Sequence, residues 1–550
     1  MRLTKTMRWT ALAACTALAI SACTTGSDDK KSSEGANGAG KKGGSISIES
    51  GEPQHGLIPQ NTAESEGAQV LAQLFSGLVE YDRKTNEPKL RVAESIESPD
   101  SKVWTIKLKD GYTFHNGEKV TAQSFVDAWN WGANQDNAAE GLPFFSKIEG
   151  AEELSPGKDK KPATDKLKGL KVVDDKTFTV TLSAPFSQFK VMLGYTAFYP
   201  LPKAFFAGDR KTFEENPIGN GPFQMDGKWE HNKQIKVKRY ENFPAADGKA
   251  KLDSVTFKIY DKLETAYNDL RANNIQITNK LPVSAMATVA QEFGDRYIYK
   301  PESGVGFIGF PIATNPAAYG KPEIRKAISM SIDREAITKT IFSGTRIPAD
   351  DFINPIIPGY RKGAMGDAAK YDPAKAKELF TTAGGVPNNT IELGYNADGG
   401  HKEWIEAVGN QLKKNLGVEV TFKPFEKFGK ILDALGEKQY SGAFRMAWQM
   451  DYPSAENYLR PIFSKVAIEN GSNYGGYVNE EFESALSAAD QAKSLEEGLK
   501  LYQKADDILI KDLPYIPVYT YMTSAAYTKT VKNVVVDAQN RIDLANVELA

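Results

Sequence analysis

A guanidinium, an indole and a carboxylate fall close together in Arg445-Met446-Ala447-Trp448-Gln449-Met450-Asp451-Tyr452-Pro453. Those groups suit recognition of a ligand that carries charge of its own. Gly442 to Trp448 is apolar and aromatic enough to form a strand, and Pro453 ends it because proline cannot donate to a ladder. Asp451 therefore sits at a strand end, where open α/β sheets place their ligand sites. The plain alternative is an Asp451 that only satisfies turn amides, with Arg445 paired to a surface acid.

Signatures of catalysis are missing elsewhere. There is no Gly-x-Ser-x-Gly elbow and no His-Glu-x-x-His. The four histidines, His55, His115, His231 and His401, stand too far apart to read as a local metal motif. No catalytic residue, metal site or cofactor is expected. Two acids meeting in a cleft would leave no spacing in the sequence, so a secreted glycosidase or peptidase stays as a remote alternative.

At 550 residues the chain exceeds what one core serves, so two or more lobes with a cleft between them are expected. Its 68 Lys and Arg nearly balance 70 Asp and Glu, which leaves no net field to gather nucleic acid. Residues 1–22 read as an export signal: Arg2, Lys5 and Arg8 precede a short apolar run from Trp9 to Ile20. Ile20-Ser21-Ala22-Cys23 resembles a lipobox, so Cys23 is the expected N-terminal, acylated residue that holds the protein to the outer face of the membrane. Cys15 lies in the part removed, which leaves no pair for a disulfide. Thr24 to Gly43 carries no large apolar residue and reads as a tether with a reach of roughly 25 Å.

Several elements must position the site. Ser45 to Ser50 alternates as a strand, and Glu64 to Leu78 has helical spacing at Val70, Leu71, Leu74 and Leu78. Val103 to Leu108 and Tyr112 to Phe114 flank Lys109-Asp110-Gly111 as a hairpin, and a helix starts at the Thr121 N-cap. Thr177 to Leu182, Gln234 to Tyr240 and Leu252 to Tyr260 read as strands. Gly219-Asn220-Gly221-Pro222-Phe223 is a tight turn rather than a phosphate loop, because a strand follows it and no Gly-Lys-Ser/Thr does. Lys321 to Ser331 is a helix, and a second helical run starts at Ile332-Asp333-Arg334. Asp372 caps Ala374 to Thr382, with Pro373 at the first position and Gly384-Gly385 beyond. Thr390 to Tyr395, His401 to Leu416 and Val418 to Phe422 predict a right-handed βαβ unit closing its helix at Gly417. Ala443 to Trp448, a helix over Leu495 to Leu509 and an apolar strand over Tyr515 to Tyr521 complete an α/β lobe.

Separated stretches of this chain resemble the lipid-anchored oligopeptide-binding and dipeptide-binding proteins of bacterial ABC importers. The resemblance rests on Trp104 to Val126, Gly219 to Phe223, Ile324-Arg325-Lys326-Ala327-Ile328 with Ile332-Asp333-Arg334, Tyr371-Asp372-Pro373 with Ala376, and the opening stretch, in that fixed order. It implies an α/β fold of the periplasmic-binding-protein type: a two-lobed clamp with mixed sheets plus a small extra domain. Lobe I would comprise 44–70, 195–303 and 518–550; the small domain 71–194; lobe II 304–517. It implies a monomer that hands an extended peptide to membrane permease subunits. By resemblance, Asp451 pairs with the peptide ammonium, Arg445 and His401 receive its carboxylate, Trp448 lines a side-chain pocket, and Gln449 and Tyr452 belong to the same site. The family's second arginine and its lysine at the carboxylate end find no match; Gly436 to Gln439 and Thr314 to Ala318 stand about where they would be, and the cysteine pair of the closest oligopeptide binders is absent. Relatives on this fold also bind oligosaccharides, haem or metal complexes, which is the alternative ligand class.

Overall fold

Two 13-residue strands, Tyr297–Gly309 and Tyr515–Tyr527, run antiparallel through the middle of the protein. The structure is a computed structural model that describes residues 43–62, 64–157, 160–244, 246 and 248–550. The export signal, Cys23 and the tether before Gly43 lie outside those residues. Among the described residues no helix is long and apolar enough to cross a membrane.

The two long strands carry an eleven-stranded mixed sheet. On one side, Ser45–Ser50 lies between Ile277–Thr278 and Ser254–Ile259 and runs parallel to both, and Gln234–Arg239 and Phe223–Met225 follow antiparallel. On the other side, Ala443–Trp448 is antiparallel to Tyr297–Gly309 and parallel to Thr390–Asn396. Thr390–Asn396 in turn pairs in parallel with Glu419–Phe425 through the helix Lys402–Leu416, as the sequence pattern requires. That helix ends where Gly417 takes φ 76°, a conformation glycine enters without strain. The ladder between the long strands shifts register between Pro301 and Val305, so regular pairing breaks at their midpoint.

Alternation along the strands separates the cores. Phe307 and Ile308 are neighbours pointing to opposite faces, and each joins a different apolar cluster. Phe307 packs with Phe444, Tyr458 and Phe482, whereas Ile308 packs with Ile328, Trp404 and Val518. A separate large core gathers Ile48, Trp129, Phe178 and Phe257 with the chain's tail from Val531 to Val547.

Within that core, Ala93–Glu97, Val103–Leu108, Thr177–Thr181 and Leu170–Asp174 form a four-stranded antiparallel sheet in the order given. The hairpin expected at Lys109-Asp110-Gly111 is absent. Val103–Leu108 is already paired on both edges, and Thr113 instead bridges Lys119 across a separate tight turn. Gly111 does turn the chain, at φ 87°, but towards a new element. The helix after Thr121 spans Ala122–Ala133 and is closed by a reciprocal capping box between Thr121 and Ser124.

The first helix is Ser65–Leu74, shorter than the apolar spacing suggested. The Gly219–Gly221 turn stops it. Gly221 donates its N–H to the Leu74 carbonyl at 2.8 Å, and Asn220 bonds both backbone groups of Ser76 at 2.9 Å. A Cβ on Gly219 would lie 1.9 Å from the Leu74 oxygen, so glycine is needed for this approach of two backbones.

Arg334, from the Ile332-Asp333-Arg334 motif, is buried and forms no ion pair among the described residues. It donates to the carbonyls of Pro517 (2.9 Å), Ser329 (3.1 Å) and Ala369 (3.2 Å) and to the Ser329 hydroxyl (2.8 Å), tying the helix Pro322–Met330 to the long strand. Burial pushes its guanidinium down to about 10, still charged at neutral pH. Arg334→Met leaves these acceptors dry and is expected to cost about 3 kcal/mol, read as a lower urea midpoint at unchanged slope.

Candidate ligand-binding site

The carboxyl ends of the parallel strands Thr390–Asn396 and Ala443–Trp448 open onto a cavity of about 450 Å³. Arg445 and Ala447 reach it from one strand face and Gln449 from just past the strand's end, whereas Phe444 and Met446 turn the other way into the core. Trp448 joins the wall from the strand's end. Asn396 ends the Thr390–Asn396 strand, Asp398 and His401 come from the loop between it and the Lys402–Leu416 helix, and Glu302 and Tyr521 come from the two long strands. Four of the six residues singled out from the sequence, Arg445, Trp448, Gln449 and His401, thus line one space.

This end of the site holds two incompletely satisfied arginines, with the carboxylates of Glu302 and Asp398 in the same wall. Arg445 is buried, donates to Asn396 Oδ1 at 3.1 Å and to the Tyr521 hydroxyl at 3.4 Å, and leaves its Nε without a partner. Behind Tyr521 stands Arg346, from the short strand Arg346–Pro348, with its guanidinium 3.9 Å from the Tyr521 ring centre and its own Nε unpartnered. Among the described residues no carboxylate forms an ion pair with either arginine. Their field is visible in the neighbours. Burial pushes His401 down to about 3, and Arg445 and Arg346 push the same way, so its ring is neutral at physiological pH. Its Nδ1 accepts from the Trp404 indole at 3.1 Å. Burial raises the Tyr521 hydroxyl, but the two arginines more than offset this and hold it below its ordinary value. Burial raises Glu302 against the pull of Arg346 and Lys280. The Trp448 Nε1 is buried without an acceptor.

Asp451 lies past the rim of this cavity and has the opposite character. Asn457 clamps it from both sides: the Asp451 N–H donates to Asn457 Oδ1 at 2.8 Å, and Asn457 Nδ2 donates to Asp451 Oδ2 at 3.0 Å. No cation among the described residues pairs with it. Burial pushes its carboxyl up to about 6, opposed by the Asn457 hydrogen bond and aided by the nearby Glu456 carboxylate. Tyr452 is placed differently from the cavity residues. Its ring is packed into the large core and its hydroxyl donates to Glu456.

Arg346 is the residue that sequence reasoning did not find. It comes from a three-residue strand with no periodicity to mark it, and only the pairing of Arg346 opposite Tyr521 brings it to the site. Neither Gly436 to Gln439 nor Thr314 to Ala318 lines the cavity.

Residues 87–470 match the family model described as "Bacterial extracellular solute-binding proteins, family 5 Middle". The chain belongs to that family. It is 27% identical to the oligopeptide-binding protein OppA of Bacillus subtilis (strain 168) over 550 residues, 96% of each chain. The solved structure of Haemophilus influenzae OppA in complex with the peptide RPPGFSPFR is 25% identical and superposes with a TM-score of 0.73 over 93% of this chain and 100% of that one. The periplasmic murein tripeptide binding protein MppA in its unliganded open form gives a TM-score of 0.76 at 23% identity, covering 93% of this chain and 98% of that one. The fold is therefore the two-lobed α/β clamp of these proteins, with mixed sheets and a small extra domain.

Proposed function

We propose that this solute-binding protein captures oligopeptides outside the cell and delivers them to the permease of an ABC importer. The observation that carries this reading is the separation of charge that forms no ion pair among the described residues: a carboxylate at Asp451 held only by Asn457, and guanidinium groups at Arg445 and Arg346 whose Nε atoms have no partner. A free peptide presents the complementary pair of ends, an ammonium and a carboxylate. An oligosaccharide offers neither, which disfavours that alternative. The names of the relatives, an oligopeptide-binding protein and a complex with a nonapeptide sequence, support the same reading.

In this reading Asp451 receives the ammonium. Arg445 and neutral His401 receive the carboxylate, with Arg346 strengthening the field through Tyr521. Trp448 and Gln449 line the space for side chains, and the Trp448 N–H offers a donor to a ligand carbonyl. Tyr452 supports Asp451 from the core without reaching the cavity. The moving parts are lobe I (44–70, 195–303, 518–550) with the small domain (71–194) and lobe II (304–517), which the register break at Pro301 to Val305 supports as a hinge. The protein acts as a monomer with no covalent chemistry, held to the outer face of the membrane through Cys23 and its tether.

Calorimetric titration of the mature protein with a peptide pool is the direct test. Heat of binding is expected with free peptides and about a hundredfold weaker binding with the same pool N-acetylated, because acetylation removes the charge that Asp451 pairs. Equal binding of the two pools would remove the Asp451 assignment, and binding of a glycan set instead would replace the ligand class.

A further inference from the structure

The turn that presents Asp451 is also the place where the two cores touch. Tyr452 belongs by sequence to the lobe II strand-to-helix turn, yet its ring lies in the large core of the other side. Two residues on, the buried Ser454 hydroxyl donates to Gln188 Oε1 at 3.0 Å while accepting the Glu456 N–H at 3.2 Å. Gln188 follows Phe186 and precedes Phe189, both of which are buried in the large core. Its neighbour Ser187 donates its backbone N–H to the Asp490 carbonyl at 2.8 Å and its hydroxyl to the Ala489 carbonyl at 3.1 Å. Those carbonyls end the helix Glu480–Asp490; the Ala489 carbonyl also accepts the Ala492 N–H at 3.2 Å, so the opposite side adds donors to the helix end and serves the Asp490 carbonyl.

A charged chain joins these contacts to one another. Glu456 accepts from Tyr452 and from Arg460 Nε at 2.8 Å; Arg460 also donates to the Asp490 carboxylate, which accepts the Tyr502 hydroxyl at 2.7 Å. Lys147 faces this group from the large-core side, with its ammonium 4.1 Å from the Phe186 ring centre.

We infer that Ser187 and Gln188 form a latch that holds the lobes closed and thereby positions Asp451, without touching ligand themselves. The inference rests on the clamp and peptide reading above. A solved relative of this fold in an unliganded open form shows that the fold also exists opened. Opening would strip the helix end of its Ser187 donors and Ser454 of its acceptor, and ligand held by Asp451 would be released as the turn is freed. Gln188 and Ser187 are thus positioning residues for capture.

The test uses the full mature chain with fluorophores at Val173 and Val466, exposed positions on the two sides. Gln188→Ala is expected to raise the peptide dissociation rate about tenfold with the association rate little changed, and to lengthen the ligand-free distance between the dyes. Ser454→Ala is expected to do the same, and the double variant to cost no more than either single one. A purely structural role would lower the melting temperature and leave the dissociation rate alone, and that result overturns the latch. Should Gln188→Ala melt early, Gln188→Glu keeps the acceptor oxygen: a dissociation rate restored towards wild type supports the latch, and one still raised overturns it. Wild-type protein that binds no peptide would instead overturn the functional reading, so the two failures are distinguishable.

Discussion

Asp451→Asn is expected to cut affinity for peptides with a free amino terminus by between about a hundredfold and a few thousandfold, while making the empty protein more stable. The two effects share one cause. A half-buried carboxylate with no cation paired to it among the described residues is an uncompensated charge, and ligand closing over it would bury the pair, where removing one partner costs about 3–5 kcal/mol. In the empty protein the same charge is a liability, since burial pushes the group up to about 6 from the ordinary value of 3.8. The folded state then binds more protons than the unfolded one between about pH 4 and pH 6, so stability falls as pH rises through that window and the loss persists at pH 7. Asparagine removes the penalty and keeps an oxygen for Asn457 Nδ2, so a gain of about 2 kcal/mol in unfolding free energy is expected at pH 7 and little at pH 4. Urea unfolding at the two pH values measures this. Affinity has the opposite pH trend: only ionised Asp451 pairs with an ammonium, so wild-type binding should fall about tenfold per pH unit below about 6, stay level near pH 7 and decline again above about pH 8 as the peptide amino group loses its proton. His401 adds no step to that profile, because its ring is already neutral there. A variant that lost stability along with affinity would show that Asp451 serves the fold rather than the ligand.

That opposition explains why the sequence disclosed some parts of this protein and hid others. Elements whose apolar period is long and whose ends carry caps were legible: Lys402–Leu416 closed by Gly417, Pro373–Thr382 opened by Asp372, and the parallel strands around them. The hairpin reading after Val103–Leu108 failed because strand pairing is decided by partners far along the chain, here Ala93–Glu97 and Thr177–Thr181. The first helix stopped early for a similar reason: an approaching glycine turn from residue 219 onward, not its own propensity, ends it. The site divides the same way. Arg445, Trp448 and Gln449 lie within five residues of one another at a strand end, so their gathering is local, whereas Arg346 arrives on a three-residue strand whose only signal is tertiary. Tyr452 has the type and position of a ligand residue, yet its apolar ring finds a dry place in the facing core. The residue types thus supply the charged candidates, and the meeting of distant segments sets which of them share a space.

At the other end of the ligand, Arg445→Met should weaken binding of free-acid peptides about a hundredfold and binding of C-terminally amidated peptides only slightly. The buried guanidinium holds two hydrogen bonds and leaves Nε free, so a carboxylate entering the cavity would complete a charge-assisted set rather than displace an existing acid. Methionine fills a similar volume, which keeps the strand packed and confines the loss to charge. Amidation and substitution should therefore not add: each removes one side of the same pair, and the doubly altered complex should be little worse than either alone. Arg346→Met acts differently, because its guanidinium lies against the Tyr521 ring outside the cavity lining. A loss of about tenfold is expected from the weakened field, with no selectivity between acid and amide as sharp as at Arg445. It also has a signature of its own. With one of the two cations gone, the Tyr521 hydroxyl should titrate at higher pH than in the wild type, read as a shift in the alkaline titration of tyrosinate absorbance. If amidated and free-acid peptides bound Arg445→Met with the same ratio as the wild type, the carboxylate would have to be received elsewhere, and the cationic end of this cavity would belong to a ligand side chain.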